Sequence, residues 1–80
     1  MTVKNGEYHS FGSIVRNLRK TSGLTRNELA ALAGVGKTTV FDIENDKRTV
    51  QLNNVLKVAK VLNISIKLRS PFDEEWQLDL

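Results

Sequence analysis

No cysteine occurs in the 80 residues, so neither a disulfide nor a thiolate metal site can hold this fold together. With a single histidine, His9, a metal centre would have to be built from carboxylates alone, and neither a metal nor a cofactor is expected. No apolar run approaches the roughly 18 residues of a membrane span, and the polar start MTVKNGEYHS lacks the apolar stretch of a signal peptide. A soluble, unprocessed, cytoplasmic chain is the expectation. Catalytic groups are equally sparse. His9, Ser10 and Ser13 cluster only in sequence, and GVGKTT lacks the first glycine and the spacing of the phosphate-binding GxxxxGK[ST] loop. The chain is not expected to be an enzyme. Acids are scarce over most of its length: residues 1–70 carry all twelve lysines and arginines against Glu7, Glu28, Asp42, Glu44 and Asp46. Residues 71–80 reverse this, with Asp73, Glu74, Glu75 and Asp79 and no base. A basic body calls for a polyanionic partner, and an acidic tail for a different one.

What is present reads as one small domain, 40% hydrophobic and 26% charged, at a size where a lone core is only marginally stabilising. A second copy of the chain is a natural source of further burial. From Phe11 the apolar residues Phe11, Ile14, Val15 and Leu18 follow helical spacing, and Ser22-Gly23 closes this first helix. Thr25-Arg26-Asn27-Glu28 is a capping box that opens a second, with Leu29, Leu32 and Ala33 facing inward. Gly34-Val35-Gly36 forms a turn, glycine 34 suiting a left-handed helix end and Gly36 serving as N-cap of a third helix over residues 37–45. On that helix Val40 and Ile43 face the core, with Thr39 and Glu44 beside them, while Lys37, Thr38, Phe41, Asp42 and Asn45 face out. A fourth helix places Leu52, Val55, Leu56, Ala59 and Leu62 inward.

After Leu62 the period falls to two. Ile64, Ile66 and Leu68 alternate with Ser65, Lys67 and Arg69, a half-buried strand closed by Ser70-Pro71. A lone strand needs a ladder, supplied either by the same strand of a second chain, the favoured option, or by residues 2–8. The tail FDEEWQLDL shows no clear period. The chain thus divides into an N-terminal segment (1–10), a four-helix unit (11–62), a strand expected to pair across a dimer (63–70) and an acidic tail (71–80).

Two short helices joined by a glycine-containing turn, the second with a polar outer face, form a helix-turn-helix. Helix pairs of this kind also occur in purely structural bundles, so the residues on the outer face carry the argument. A lysine in a helix's first turn opposes the macrodipole by up to ~1 kcal/mol, which makes sense for Lys37 if that end faces DNA, where it reaches a base edge or phosphate. Phe41 is either a plain exposed or subunit-contact aromatic or a group packing on thymine methyls. Asp42 can accept from cytosine N4, exclude other bases, or sit at the rim.

Residues 18–62, LRKTSGLTRNELAALAGVGKTTVFDIENDKRTVQLNNVLKVAKVL, resemble the Xre/Cro-type helix-turn-helix domains, and the continuation LNISIKLRSP is similar to the HipB-type antitoxins. The resemblance implies an all-α, lambda-repressor-like bundle of four to five helices whose short C-terminal strand pairs across a dimer through Ile64, Ile66 and Leu68. It places Lys37, Thr38, Phe41 and Asp42 nearest the bases, and Thr25, Arg26, Thr39, Asn45, Lys47 and Arg48 on the DNA backbone. It matches Arg19 and Glu44 to a structural ion pair. The function it implies is a repressor that binds a palindromic operator as a homodimer. That repressor doubles as antitoxin of a HipA-like toxin kinase and autoregulates their operon; the alternative is a stand-alone regulator without a toxin. Trp76 is either the anchor for that partner or a residue folding back on the core. Three positions depart from the family pattern: Arg26 stands for glutamine, Gly36 for serine and Asp46 for glycine.

Overall fold

The computed structural model of the chain describes residues 3–4 and 7–78, with side chains from residue 9 onward. Its elements in order are β1 (Val3–Lys4), β2 (Glu7–Tyr8), α1 (Phe11–Thr21), α2 (Arg26–Ala33), α3 (Lys37–Glu44), α4 (Leu52–Val61), β3 (Lys67–Arg69) and β4 (Glu75–Gln77). Each helix boundary has a local cause. At the start of α1 the Ser10 hydroxyl accepts from the Ser13 amide, and the helix ends through Gly23 at φ +73°, where the Leu24 amide returns to the Arg19 carbonyl. The capping box of α2 is complete: Glu28 N–H donates to the Thr25 hydroxyl while the Thr25 N–H donates to the Glu28 carboxylate. Hydrogen bonds from the Thr25 backbone and hydroxyl hold the Glu28 carboxyl below its ordinary value. Gly34, at φ +71°, turns the chain out of α2, and Val35 N–H closes on the Ala30 carbonyl.

Val15, Leu29, Ala30, Val40, Ile43 and Val58 form the buried cluster, with Phe11, Leu24, Ala33, Val35, Val50, Val55, Val61, Leu62 and Ile64 packed around it. Helix α3 lies across α1 and α2 and also meets α4. Two inward assignments are corrected. Leu32 is 63% exposed and Leu52 67%. The buried line of α2 runs through Leu29 and Ala30, so Leu32 is turned to the opposite flank. In α4 the buried residues are Val58 and Ala59, and Leu52, in the first turn, stands clear of the body.

Gly12 is where α1 meets the end of α3. A Cβ there would lie 2.5 Å from the Ile43 carbonyl oxygen and 2.7 Å from that of Glu44, so only glycine permits the approach. The Gly12 amide, one of the unpaired donors of the first turn, gives its hydrogen to Asp46 Oδ1 at 2.8 Å. Asp46 itself adopts φ 57°, the left-handed conformation that Asp tolerates where the family carries glycine.

Within its own chain the strand finds a partner in the tail, for which the sequence reading expects no strand. β3 pairs antiparallel with β4 of its own chain, Lys67 opposite Gln77, Leu68 opposite Trp76 and Arg69 opposite Glu75. β1 pairs with β2, Val3 opposite Tyr8, so the N-terminal segment is not the partner of β3. The reversal is built at Ser70: its N–H donates to the Glu74 carbonyl, its hydroxyl accepts from the amides of Phe72 and Glu74, and Asp73 turns at φ 60°. Ile64 and Ile66 precede the strand proper; Ile64 packs on the core and the Ile66 carbonyl accepts from Leu78 N–H. With this edge of β3 occupied, pairing with a second chain has only the opposite edge to use.

Candidate nucleic-acid interface

α2 and α3 present their free surfaces side by side. On α3, Lys37, Thr38 and Phe41 are exposed, Thr39 and Asp42 half-buried, and Val40, Ile43 and Glu44 buried. The first turn of α3 contains no acid, and Gly36 provides no side-chain cap. Lys37 therefore stands at an uncompensated positive helix end, as an anion-facing surface requires.

The position of this surface is set by Glu44. Its side chain is completely buried and three arginines converge on it. Arg19 Nε donates to Oε2 at 2.6 Å and Arg19 Nη2 to Oε1 at 3.3 Å; Arg26 Nε donates to Oε1 at 3.1 Å; Arg16 Nε lies 3.5 Å from Oε1. Arg19 also donates through Nη1 to the Leu24 carbonyl at 2.9 Å. Burial opposes ionisation of Glu44, but the hydrogen bonds and charges of Arg19 and then Arg26 outweigh it, leaving its carboxyl below the ordinary value. One carboxylate thereby ties α3 to α1 and α2 at once. The Arg19–Glu44 pair is present as expected, and the sequence reading missed that Arg16 and Arg26 join it.

Arg26 has a second contact. Its guanidinium carbon lies 5.6 Å from the centroid of the Phe41 ring, within cation–π range. The side chain assigned to a phosphate is thus engaged with Glu44 and Phe41. Asp42, assigned to the bases, lies with Oδ2 3.7 Å from Lys47 Nζ, which lowers the repulsion an acid meets beside phosphate. Asn45 donates its amide to the Phe41 carbonyl at 2.8 Å and finishes the helix. Thr25 is exposed at the start of α2, and Lys47 and Arg48 are exposed beyond the end of α3. Lys37, Thr38, Thr39 and Phe41 are thus gathered on α3, with Thr25 and Arg26 on the neighbouring helix. Ile64, Ile66, Leu68 and Trp76 lie apart, in and around the C-terminal ribbon. Trp76 is absent from the buried cluster and remains 52% exposed, facing Leu68 across the ribbon. Among the described residues no group of three His, Cys, Asp or Glu is placed to hold a metal ion, and no helix is long and apolar enough to cross a membrane.

The helix pair, its glycine turn and the outward face of its second helix define a helix-turn-helix module. Residues 15–68 match the family described as Helix-turn-helix, and the chain belongs to that family, in its Xre-type branch. It is 42% identical over 60 residues to the uncharacterized HTH-type transcriptional regulator y4mF of Sinorhizobium fredii, covering 75% of this chain and 79% of that one. Control protein C.SmaI of Serratia marcescens is 33% identical over 52 residues, 65% of this chain and 62% of its own. The crystal structure of the restriction-modification controller protein C.AhdI from Aeromonas hydrophila aligns at TM-score 0.60 and 41% identity, covering 68% of this chain and 82% of that one. A chain of the HipA-HipB-O2-O3 complex aligns at TM-score 0.68 over 81% of this chain and 96% of its own, at 24% identity, which shows shared fold alone. The homologues are helix-turn-helix transcriptional regulators rather than enzymes.

Proposed function

We propose that this protein is a sequence-specific transcriptional repressor that binds a palindromic operator as a homodimer, with α3 in the major groove. The observation that carries this reading is the outer face of α3, where Lys37, Thr38 and Phe41 project from a helix whose other side is locked to α1 and α2 through Glu44. In this arrangement Lys37 and Thr38 meet base edges and Phe41 meets thymine methyls. Asp42, steadied by Lys47, lies at the margin of the bases. Thr25, Thr39, Asn45, Lys47 and Arg48 line the phosphates. Two copies linked through their C-terminal regions set two recognition helices one or more helical turns apart. Titration of operator DNA tests it: Lys37→Ala and Thr38→Ala each weaken specific binding by roughly 1–3 kcal/mol with little change in melting temperature. Lys47→Ala and Arg48→Ala weaken specific and random DNA alike and flatten the salt dependence. Unchanged operator affinity in both Lys37→Ala and Thr38→Ala removes α3 as the reader.

A second reading adds a HipA-like kinase as partner and makes the protein its antitoxin. The fold likeness to a chain of the HipA-HipB-O2-O3 complex and the half-exposed Trp76 favour it. Calorimetry of the full chain against a kinase-like protein encoded next to it, with Trp76→Ala as control, tests it. Binding lost in the variant supports the antitoxin role, and no binding by the native chain leaves the stand-alone regulator.

A further inference from the structure

Resting on the DNA-binding reading above, we propose that Arg26 and Phe41 form one base-reading unit. In it Arg26 is a positioning residue that holds the Phe41 ring, and the ring selects a thymine methyl. Phe41 is half-exposed in the middle of the outer face of α3, where an unsupported aromatic side chain would sample several rotamers. Arg26 limits that freedom. Its guanidinium lies over the ring at 5.6 Å, and its Nε is bonded to Oε1 of Glu44 at 3.1 Å. Glu44 is itself clamped by Arg19 at 2.6 Å. A continuous line of contacts therefore runs from a buried carboxylate to an exposed ring.

The chemistry of the ring limits what it can read. With a cation on one side, Phe41 offers its remaining surface, which carries no hydrogen-bond donor or acceptor. In the major groove the apolar feature of an unmodified base pair is the thymine methyl. Arg26 also keeps positive charge beside the ring, so an apolar group is presented without losing attraction to the phosphates. A plain phosphate contact for Arg26 makes a different demand: it carries no sequence information, so replacing it changes specific and unrelated DNA alike.

The test uses the full chain. A bound sequence is selected from a pool of randomised duplexes. Affinity is then measured on that site, on copies with each thymine replaced by deoxyuridine, and on an unrelated duplex at one salt concentration. The proteins compared are the native chain, Arg26→Lys, Phe41→Ala and the double variant. At one or more positions per half-site the native chain loses about fourfold on deoxyuridine, the equivalent of one methylene-sized apolar group. Phe41→Ala shows no such loss. Arg26→Lys shows a reduced loss while binding unrelated DNA like the native chain, and the double variant is no worse than Phe41→Ala. An undiminished deoxyuridine loss in Arg26→Lys overturns the unit, as does an equal drop on specific and unrelated DNA. A selected site at which the native chain ignores every deoxyuridine overturns the unit while leaving the repressor reading standing. A pool that yields no enriched sequence overturns both.

Discussion

Glu44 and Trp76 mark the two extremes of support in this molecule. Around Glu44 a buried carboxylate is held by arginines from two helices, and the backbones of α1 and α3 approach so closely that Gly12 cannot carry a side chain. Around Trp76 every residue of both paired strands is exposed, and the ribbon is held by its ladder, the turn at Ser70 and the Leu68–Trp76 pair. The first region is buried and cross-linked, and under the proposed function it is the one that aims α3. The second keeps large apolar groups in contact with water, the profile of a surface that gains from meeting another protein. On the proposed function, this contrast leaves orientation to the helices and association to the ribbon.

The sharpest way to break the contrast is to remove its buried half. Glu44→Ala leaves Arg19 buried without its counter-charge and is expected to cost ~3–5 kcal/mol, a large share of a small domain's stability. Thermal melting should show a fall well over ~10 °C. The same carboxylate gives a signature in pH. Because Glu44 titrates below its ordinary 4.5 when folded, the unfolded chain binds more protons in that window. Its contribution is fully present above about pH 4.5 and is lost as pH falls through the lowered value. Glu44→Gln, compared with the native chain in melts from about pH 6 to about pH 3, should flatten this acid slope. The exposed capping carboxylate Glu28, shifted in the same direction, retains its own share.

Gly12→Ala tests close approach rather than charge. Its methyl meets two backbone carbonyl oxygens that cannot move aside, so a loss of roughly 1–3 kcal/mol is expected by denaturant titration. A neutral result would mean that α1 can shift away from α3 without consequence.

Trp76→Ala addresses the other region. Loss of one cross-strand pair should cost about 0.2–1 kcal/mol and leave the helices' melting near native, whereas self-association measured by sedimentation should weaken if the ribbon is the contact surface. A fall in melting temperature as large as that of Glu44→Ala would show that the two regions are one cooperative core. The smallest effect belongs to Gly36→Ser. A Cβ there is in ordinary contact with Thr39 Oγ1 at 3.8 Å, and the hydroxyl supplies the cap that α3 lacks. A gain of a few tenths of a kcal/mol is expected in equilibrium unfolding.

The ribbon was more legible than the sequence reading took it to be. Trp76, Leu78 and Leu80 alternate with polar residues, the period of a strand, and Ser70-Pro71 followed by Asp73 is a turn composition. The acidic charge of the tail hid both. In the interface, Lys37, Thr38 and Phe41 were readable because α3 is short and its apolar residues define its inner side. The engagement of Arg26 was not readable, since a cation opening α2 is compatible with a phosphate, a carboxylate or an aromatic ring.

The sequence by itself determined the four helices, the local caps and glycine turns of α1 and α2, and the outward side of α3. Each depends on residues within one or two helical turns of one another: Ser10 with Ser13, Thr25 with Glu28, glycines 23 and 34 at left-handed ends. Only the tertiary structure decided that Asp46 caps α1, 34 residues away along the chain, and that Arg16, Arg19 and Arg26 share Glu44. These contacts join segments whose separation in sequence carries no period, so chain packing, rather than any local preference, selects which donor meets which acceptor.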